Sequence, residues 1–291
     1  MERLTNLTLD FLENVTLYEM DAIELSRQLD KEPPKVNQDT RQEWIEYLNK
    51  QFPQRSDYVG GIGSKAEARA VLEKGWPEGA QRVKALADEL AATIPPAKSV
   101  RRRLRWSDDG DEVSRDRLNG GLVDSCWRTT KRDLATGPEV VTLETNWGGT
   151  ARRSAEELFW QGAAAACLTD ILEQAGYRVE VFANNYSVHP RGRTLLRIRV
   201  KEADAPVRID TLAGVLCHAA TFRVFGLAAK EQAPLYVDGG HGRTTEISLQ
   251  QFEALEATLN QDGRGTVMIG AVYDEATARR AIEGEIGRLQ G

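Results

Sequence analysis

The sequence predicts an α/β protein: a helical N-terminal module over residues 1–97, a basic connector with short strands and turns over 98–137, and a three-layer, doubly wound domain over 138–291. Three observations carry this reading. Before Pro96 the apolar residues recur at helical spacing. Between Lys98 and Asp133 ten Lys/Arg stand against seven Asp/Glu, although the chain's net charge is −6. After Gly137-Pro138, apolar runs of strand length alternate with helical patterns, the order expected of a sheet covered by helices.

Composition sets the outer bounds. The chain has 291 residues, of which 41% are hydrophobic and 28% charged, a globular balance with room for two modest domains. No apolar run approaches the ~20 residues of a membrane span, and the N-terminus lacks a charged-then-apolar leader, so a cytoplasmic protein without a membrane partner is expected. Cys126, Cys167 and Cys217 are odd in number and far apart, which speaks against a disulfide framework or a paired-cysteine zinc cluster.

In chain order, Leu4, Leu7, Phe11 and Val15 form one apolar stripe at helical spacing, and Pro33-Pro34 interrupts the pattern. A second helix is predicted over Thr40–Asn49, its aromatic residues Trp44 and Tyr47 read as packing. Ser64-Lys65-Ala66-Glu67 is a capping box opening a helix to about Lys74, and Trp76-Pro77-Glu78 starts another that ends at Pro95-Pro96. The connector is expected to hold one helix near Leu122–Thr129. Beyond it come strand 140–145, helix 154–175 closed by Gly176, strands 177–183 and 195–200, helix 210–227, strand 234–237, helix 249–259, strand 266–272 and helix 274–289.

The layout of the second half resembles a von Willebrand factor type A domain, carried by Asn146-Trp147-Gly148-Gly149-Thr150 after its first strand and Asp238-Gly239 after a later one. In that family a first-strand Asp-x-Ser-x-Ser and a later aspartate hold a divalent cation. Transferred by position, the resemblance implies a degenerate magnesium site of Asn146, Thr150 and Asp238, with Gly148 in the place of a ligand serine. It also implies a partner-binding strand edge that includes Trp147 and His241. The order and spacing are similar as well to uncharacterised proteins of bacteriophages and plasmids.

Other candidates are weighed on their own residues. Gly60-Gly61-Ile62-Gly63-Ser64-Lys65 has the small residues of a phosphate loop, but no strand precedes it and the spacing is not that of a Walker loop, so it reads as a tight turn or hinge. Cys217-His218 lies in an apolar helix and reads as packing. No Gly-x-Ser-x-Gly elbow or His-Glu-x-x-His motif is present. Arg101, Arg102, Arg103 and Arg105 beside Trp106, with Arg152 and Arg153 after the glycine turn, are candidate phosphate contacts. The sequence therefore points to a non-enzymatic interaction or assembly protein that holds another protein at its strand edge. The alternative is a nucleic-acid-associated protein of a phage or mobile element, binding through the arginine-rich connector.

Overall fold

A computed structural model of the chain describes residues 2–7, 15–90, 104–107, 112–122, 125–130, 140–189, 192–232, 241, 243–259 and 265–290. In chain order the strands are β1 (Glu2–Leu7), β2 (Val15–Asp21), β3 (Leu104–Ser107), β4 (Glu112–Val113), β5 (Trp127–Thr130), β6 (Val140–Asn146), β7 (Arg178–His189), β8 (Gly192–Lys201), β9 (Arg243–Thr245) and β10 (Gly265–Ile269). The α-helices are α1 (Ala22–Arg27), α2 (Gln38–Gln51), α3 (Lys65–Lys74), α4 (Pro77–Leu90), α5 (Arg115–Asn119), α6 (Ala155–Gln174), α7 (Ile209–Leu212), α8 (Leu227–Lys230), α9 (Leu249–Leu259) and α10 (Glu275–Gln290). The chain divides into two compact units, Met1–Pro95 with Val140–Gly291, and Pro96–Glu139.

The first unit is built on a mixed seven-stranded sheet, six strands in the order β1-β2-β8-β7-β6-β10 and the seventh, β9, paired with β7. β6 runs parallel to β7 and β10, β2 runs parallel to β8, and β7 is antiparallel to β8. β7 is long enough to serve two partners in succession. Its first half pairs with β6 as far as Asn184, and Tyr186–Val188 then pair with β9.

The N-terminus departs from the expected helix. Leu4, Leu7 and Val15 lie on the antiparallel strands β1 and β2, while Phe11 falls outside the described residues. The physical reason is that β2 is an interior strand: Leu17 and Val15 face one side of the sheet, Tyr18 and Met20 the other, and all four are buried. A strand buried on both faces loses the alternation that would distinguish it from a helix. The first ninety residues thus contribute strands to the same unit as the second half. They are not a separate helical module.

Helices cover both faces. On one, Val141, Leu143, Val179, Val181, Ile198 and Val267 pack with α6, α10 and the helices of the first ninety residues in the main core. On the other, Phe252 and Leu255 of α9 cluster with Leu17, Tyr186, Leu195 and Met268. α6 is the central helix. Its Ala163–Ala166 run is buried throughout because it has neighbours on every side, and a Cβ at Gly162 would overlap the Leu216 carbonyl.

Leu216 belongs to a broken helix. α7 passes into a π-helical turn, Ala213–Cys217, the chain bends at His218, and a second π turn, Thr221–Gly226, leads into α8. The wide turns release carbonyls that side chains recover: Thr221 Oγ1 donates to Gly214 O at 2.6 Å and Trp147 Nε1 to Val215 O at 3.0 Å. Among the described residues no single helix is long and apolar enough to cross a membrane, and the broken helix is bent by 58° between its two arms.

The second unit holds the antiparallel sheet β3-β5-β4 and the short helix α5. The helix expected near Leu122–Thr129 is replaced by α5, five residues of it upstream, and by β5. Trp127 and Thr129 suit a strand, and Gly120-Gly121 ends the helix before Leu122.

Candidate functional site

The strands β6, β7 and β10 are parallel, and β6 connects through α6 to β7 on one side while β10 joins it on the other. The chain order reverses at β6, and such a reversal opens a crevice at the C-terminal ends of β6 and β10. The loops that follow these strands, Trp147–Ser154 and Gly270–Asp274, form its rim.

Two carboxamides build the rim. Asn146 Nδ2 donates to Ile247 O at 3.0 Å while its Oδ1 accepts from Ile247 N–H at 2.9 Å. Gln161 does the same for the other loop: its Nε2 donates to Gly270 O at 2.9 Å and its Oε1 accepts from Val272 N–H at 2.9 Å. Each amide satisfies backbone groups that a strand end would otherwise leave unpaired.

This arrangement does not fit the degenerate cation site. Both polar atoms of Asn146 are committed to Ile247, and Asn146 is buried. Gly148 has φ +82, and a Cβ there would lie 2.5 Å from the Phe222 ring, so the position does not accept a ligand serine. Thr150 is exposed on the rim, and Asp238 lies outside the described residues. Thr221 Oγ1 is turned to the Gly214 carbonyl. Among the described residues no three His, Cys, Asp or Glu side chains are placed to hold a metal.

The other expected edge residues separate in the same way. Trp147 is buried and serves the π turn. His241 is 3% exposed and sits in an interior network, its Nε2 2.6 Å from Glu231 Oε1 and its ring edge-on to Trp44. Burial holds its pKa below the usual histidine value, against the pull of Glu231. Glu231 also pairs with Arg41 Nε, whose other nitrogens donate to the carbonyls of Leu29, Lys31 and Ala228. Neither Trp147 nor His241 is available to a partner, because each is consumed by a buried polar group that needs it.

What remains at the rim is Arg153 and its surroundings. Its guanidinium donates to the Val272 carbonyl, reaches Glu246 Oε1 at 3.4 Å, and is covered by the Tyr273 ring at 4.6 Å. Tyr273 Oη donates to Glu246 Oε2 at 2.5 Å, and this bond, ahead of burial, raises the phenol's pKa. Arg153 Nε is buried and has no partner among the described residues. Arg152 is exposed beside it. The N-terminus of α6 is closed by its own side chains: Ser154 and Glu157 form a capping box, and Asp57 Oδ2 accepts from Ala155 N–H at 3.0 Å.

Of the connector arginines, Arg101, Arg102 and Arg103 lie outside the described residues, and Arg105 is on β3. The glycine loop is a turn, with Gly60 backed onto the His218 ring and Gly63 N–H donating to Glu67. Cys217 and His218 are both buried. Desolvation raises the thiol pKa and lowers the imidazole's to about 4, so the pair is held neutral.

Sequence reasoning missed a polar row across the second face of the sheet. Arg197 on β8 bonds Glu19 on β2 at 2.6 Å and Glu144 on β6 at 2.5 Å, and Asn184 on β7 donates to Glu144 at 2.6 Å. Burial pushes the Glu144 carboxyl pKa up, with Arg197 opposing it. Gln161, Glu246 and Tyr273 were missed as well. Gln161 alone carried a signal, as an amide ahead of the alanine run of a buried helix.

A family model described as Domain of unknown function (DUF7192) matches residues 23–274, most of the chain. The chain belongs to the DUF7192 family. The match runs from Ile23 in α1 to the rim residue Asp274, so it includes every group of the rim and the whole Pro96–Glu139 unit but leaves out β1, β2 and α10. No curated protein and no solved structure matches it.

Proposed function

We propose that this DUF7192 protein is a non-enzymatic interaction or assembly protein that docks another protein on the rim of the β6/β10 crevice. The observation that carries the proposal is the division of labour at the rim. Asn146, Gln161 and Trp147 are spent on internal hydrogen bonds, while Thr150, Arg152 and Tyr273 face solvent, the last 43% exposed. Tyrosine and arginine are the residue types that interfaces favour. Leaving out the short β9, the second-half strands stand in the order third-second-first-last, the start of a doubly wound order. That supports the likeness to a type A domain, whose ligands also meet this edge.

The test is affinity purification of the full chain from its native cell, with and without nuclease, comparing wild type with Arg152→Glu and Tyr273→Ala. Protein partners that survive nuclease and fall at least tenfold in both variants are expected. Unchanged recovery in both variants would contradict the reading. A second reading, nucleic-acid binding by the Pro96–Glu139 unit, is favoured by the β3/β5 register, which sets Trp106 opposite Arg128. It requires partners that disappear with nuclease.

A further inference from the structure

Three arginines gather at the entry to α6. Arg152 is exposed, Arg153 is 8% exposed and Arg223 is 1% exposed. Arg223 donates to the carbonyls of Tyr58, at 2.8 Å, and Arg153, and makes no ion pair with a carboxylate among the described residues, although Asp57 and Glu157 are near enough to act on its charge. The nearby acids are largely committed elsewhere. Glu157 accepts from Ser154 N–H at 2.7 Å, and Asp57 accepts from Ala155 N–H. Among the described residues, Glu246 is the carboxylate that pairs with any of the three.

That pair is poorly made. A carboxylate well matched to arginine takes two short parallel bonds of about 2.7–2.9 Å. Glu246 instead approaches through one oxygen at 3.4 Å, its other oxygen being held by Tyr273 Oη at 2.5 Å. Arg153 Nε is left without a partner although the residue is more than nine-tenths buried. An unmet donor on a buried cation is costly, and a better-placed acceptor would recover that cost. Glu246 is one-third exposed and Tyr273 more so, so both can swing outward without disturbing the core.

We infer that Arg153 is a carboxylate receptor at the rim of the crevice, that Glu246 tethered by Tyr273 is its resident stand-in, and that the true ligand is an aspartate or glutamate side chain in an acidic segment of a protein partner. The inference rests on the docking reading above and names the chemistry of its partner. A carboxylate is indicated because that is the group already occupying the place. A protein is indicated because a carboxylate is the group that Asp and Glu side chains present, whereas a nucleic acid presents phosphates. Arg152 and the exposed Tyr273 ring supply a second charge and an apolar contact for neighbouring residues of the same segment.

The probe is the capped tetrapeptide acetyl-(Glu)4-amide, titrated calorimetrically against the full chain at low salt. Glu246→Gln removes the stand-in and is expected to tighten binding five- to tenfold. Tyr273→Phe, which only releases the tether, is expected to tighten it two- to threefold. Glu156→Gln removes an exposed carboxylate at the same helix entry and is expected to change nothing, which separates the effect from general charge. Arg153→Lys keeps the charge but loses the fork and is expected to weaken binding at least tenfold. If that variant fails to fold, Glu246→Gln against Glu156→Gln decides alone. Equal effects of those two substitutions, or no effect of either, would overturn the receptor, as would a single-stranded oligonucleotide displacing the peptide. Loss of the partner with Arg152→Glu alongside an unresponsive Glu246→Gln would leave the docking edge standing and sink the receptor. The reverse pattern would sink the docking edge alone.

Discussion

Arg41 and Arg153 are both buried arginines facing a glutamate, and the difference between them separates scaffold from surface. Around Arg41 every group is used: Glu231 is fully buried and shared with His241, and the remaining guanidinium nitrogens meet three carbonyls. Around Arg153 the glutamate is distant and part-exposed and one nitrogen is unmet. A completed network fixes one arrangement, here the docking of α2 against the end of α8. An incomplete one at a strand edge leaves a cation that a second molecule can satisfy.

The largest expected effect tests the completed side. Glu231→Ala strands Arg41 in the interior and is expected to cost roughly 3–5 kcal/mol in urea denaturation. Glu246→Ala is expected to cost less than about 1 kcal/mol, within the range of a pair with an exposed partner. Equal costs would erase the distinction between the two arginines.

His218 sharpens the comparison, since it is a buried group with no carboxylate bonded to it. Its folded pKa of about 4 lies below the unfolded value near 6.5, so the unfolded chain takes up the proton first as the pH falls. Its contribution is intact above pH 6.5 and is lost toward pH 4, by up to roughly 3 kcal/mol. His218→Gln should flatten that part of the pH dependence of the melting temperature. An unaltered slope would place the titration elsewhere.

Gly162→Ala is a packing test of the scaffold. The added Cβ meets the Leu216 carbonyl, a backbone atom that cannot swing away, and a loss of roughly 1–3 kcal/mol is expected from thermal unfolding. A neutral result would mean that the π-helical arm can retreat from α6. The smallest expected effect is that of Glu246→Gln on stability, within about 0.5 kcal/mol, even as it changes peptide binding.

Much of the α/β layout of the second half was legible because its helices are long, capped and punctuated. The apolar run marks α6, Gly176 ends it, and α9 spans the residues its apolar pattern marks. The N-terminal strands were not legible, because an interior strand and a short helix share the same apolar spacing over six or seven residues. The bend at His218 was hidden too, since π turns leave no propensity signal. At the rim the residues the sequence marked serve the scaffold. Asn146 and Trp147 look like site residues until Ile247 and Val215, 101 and 68 residues further along the chain respectively, claim their polar atoms. The proposed receptor joins Arg153, which the sequence marked as a phosphate contact, to Glu246 and Tyr273 from distant segments, a grouping that no local pattern could reveal.

Amide hydrogen exchange of the full chain, with and without its purified partner, is the most direct test of the β6/β10 rim as the docking surface. Protection is expected over residues 147–153 and 270–274, with the Pro96–Glu139 unit unchanged. Protection confined to that unit, with the rim exchanging as in the free protein, would contradict the claim.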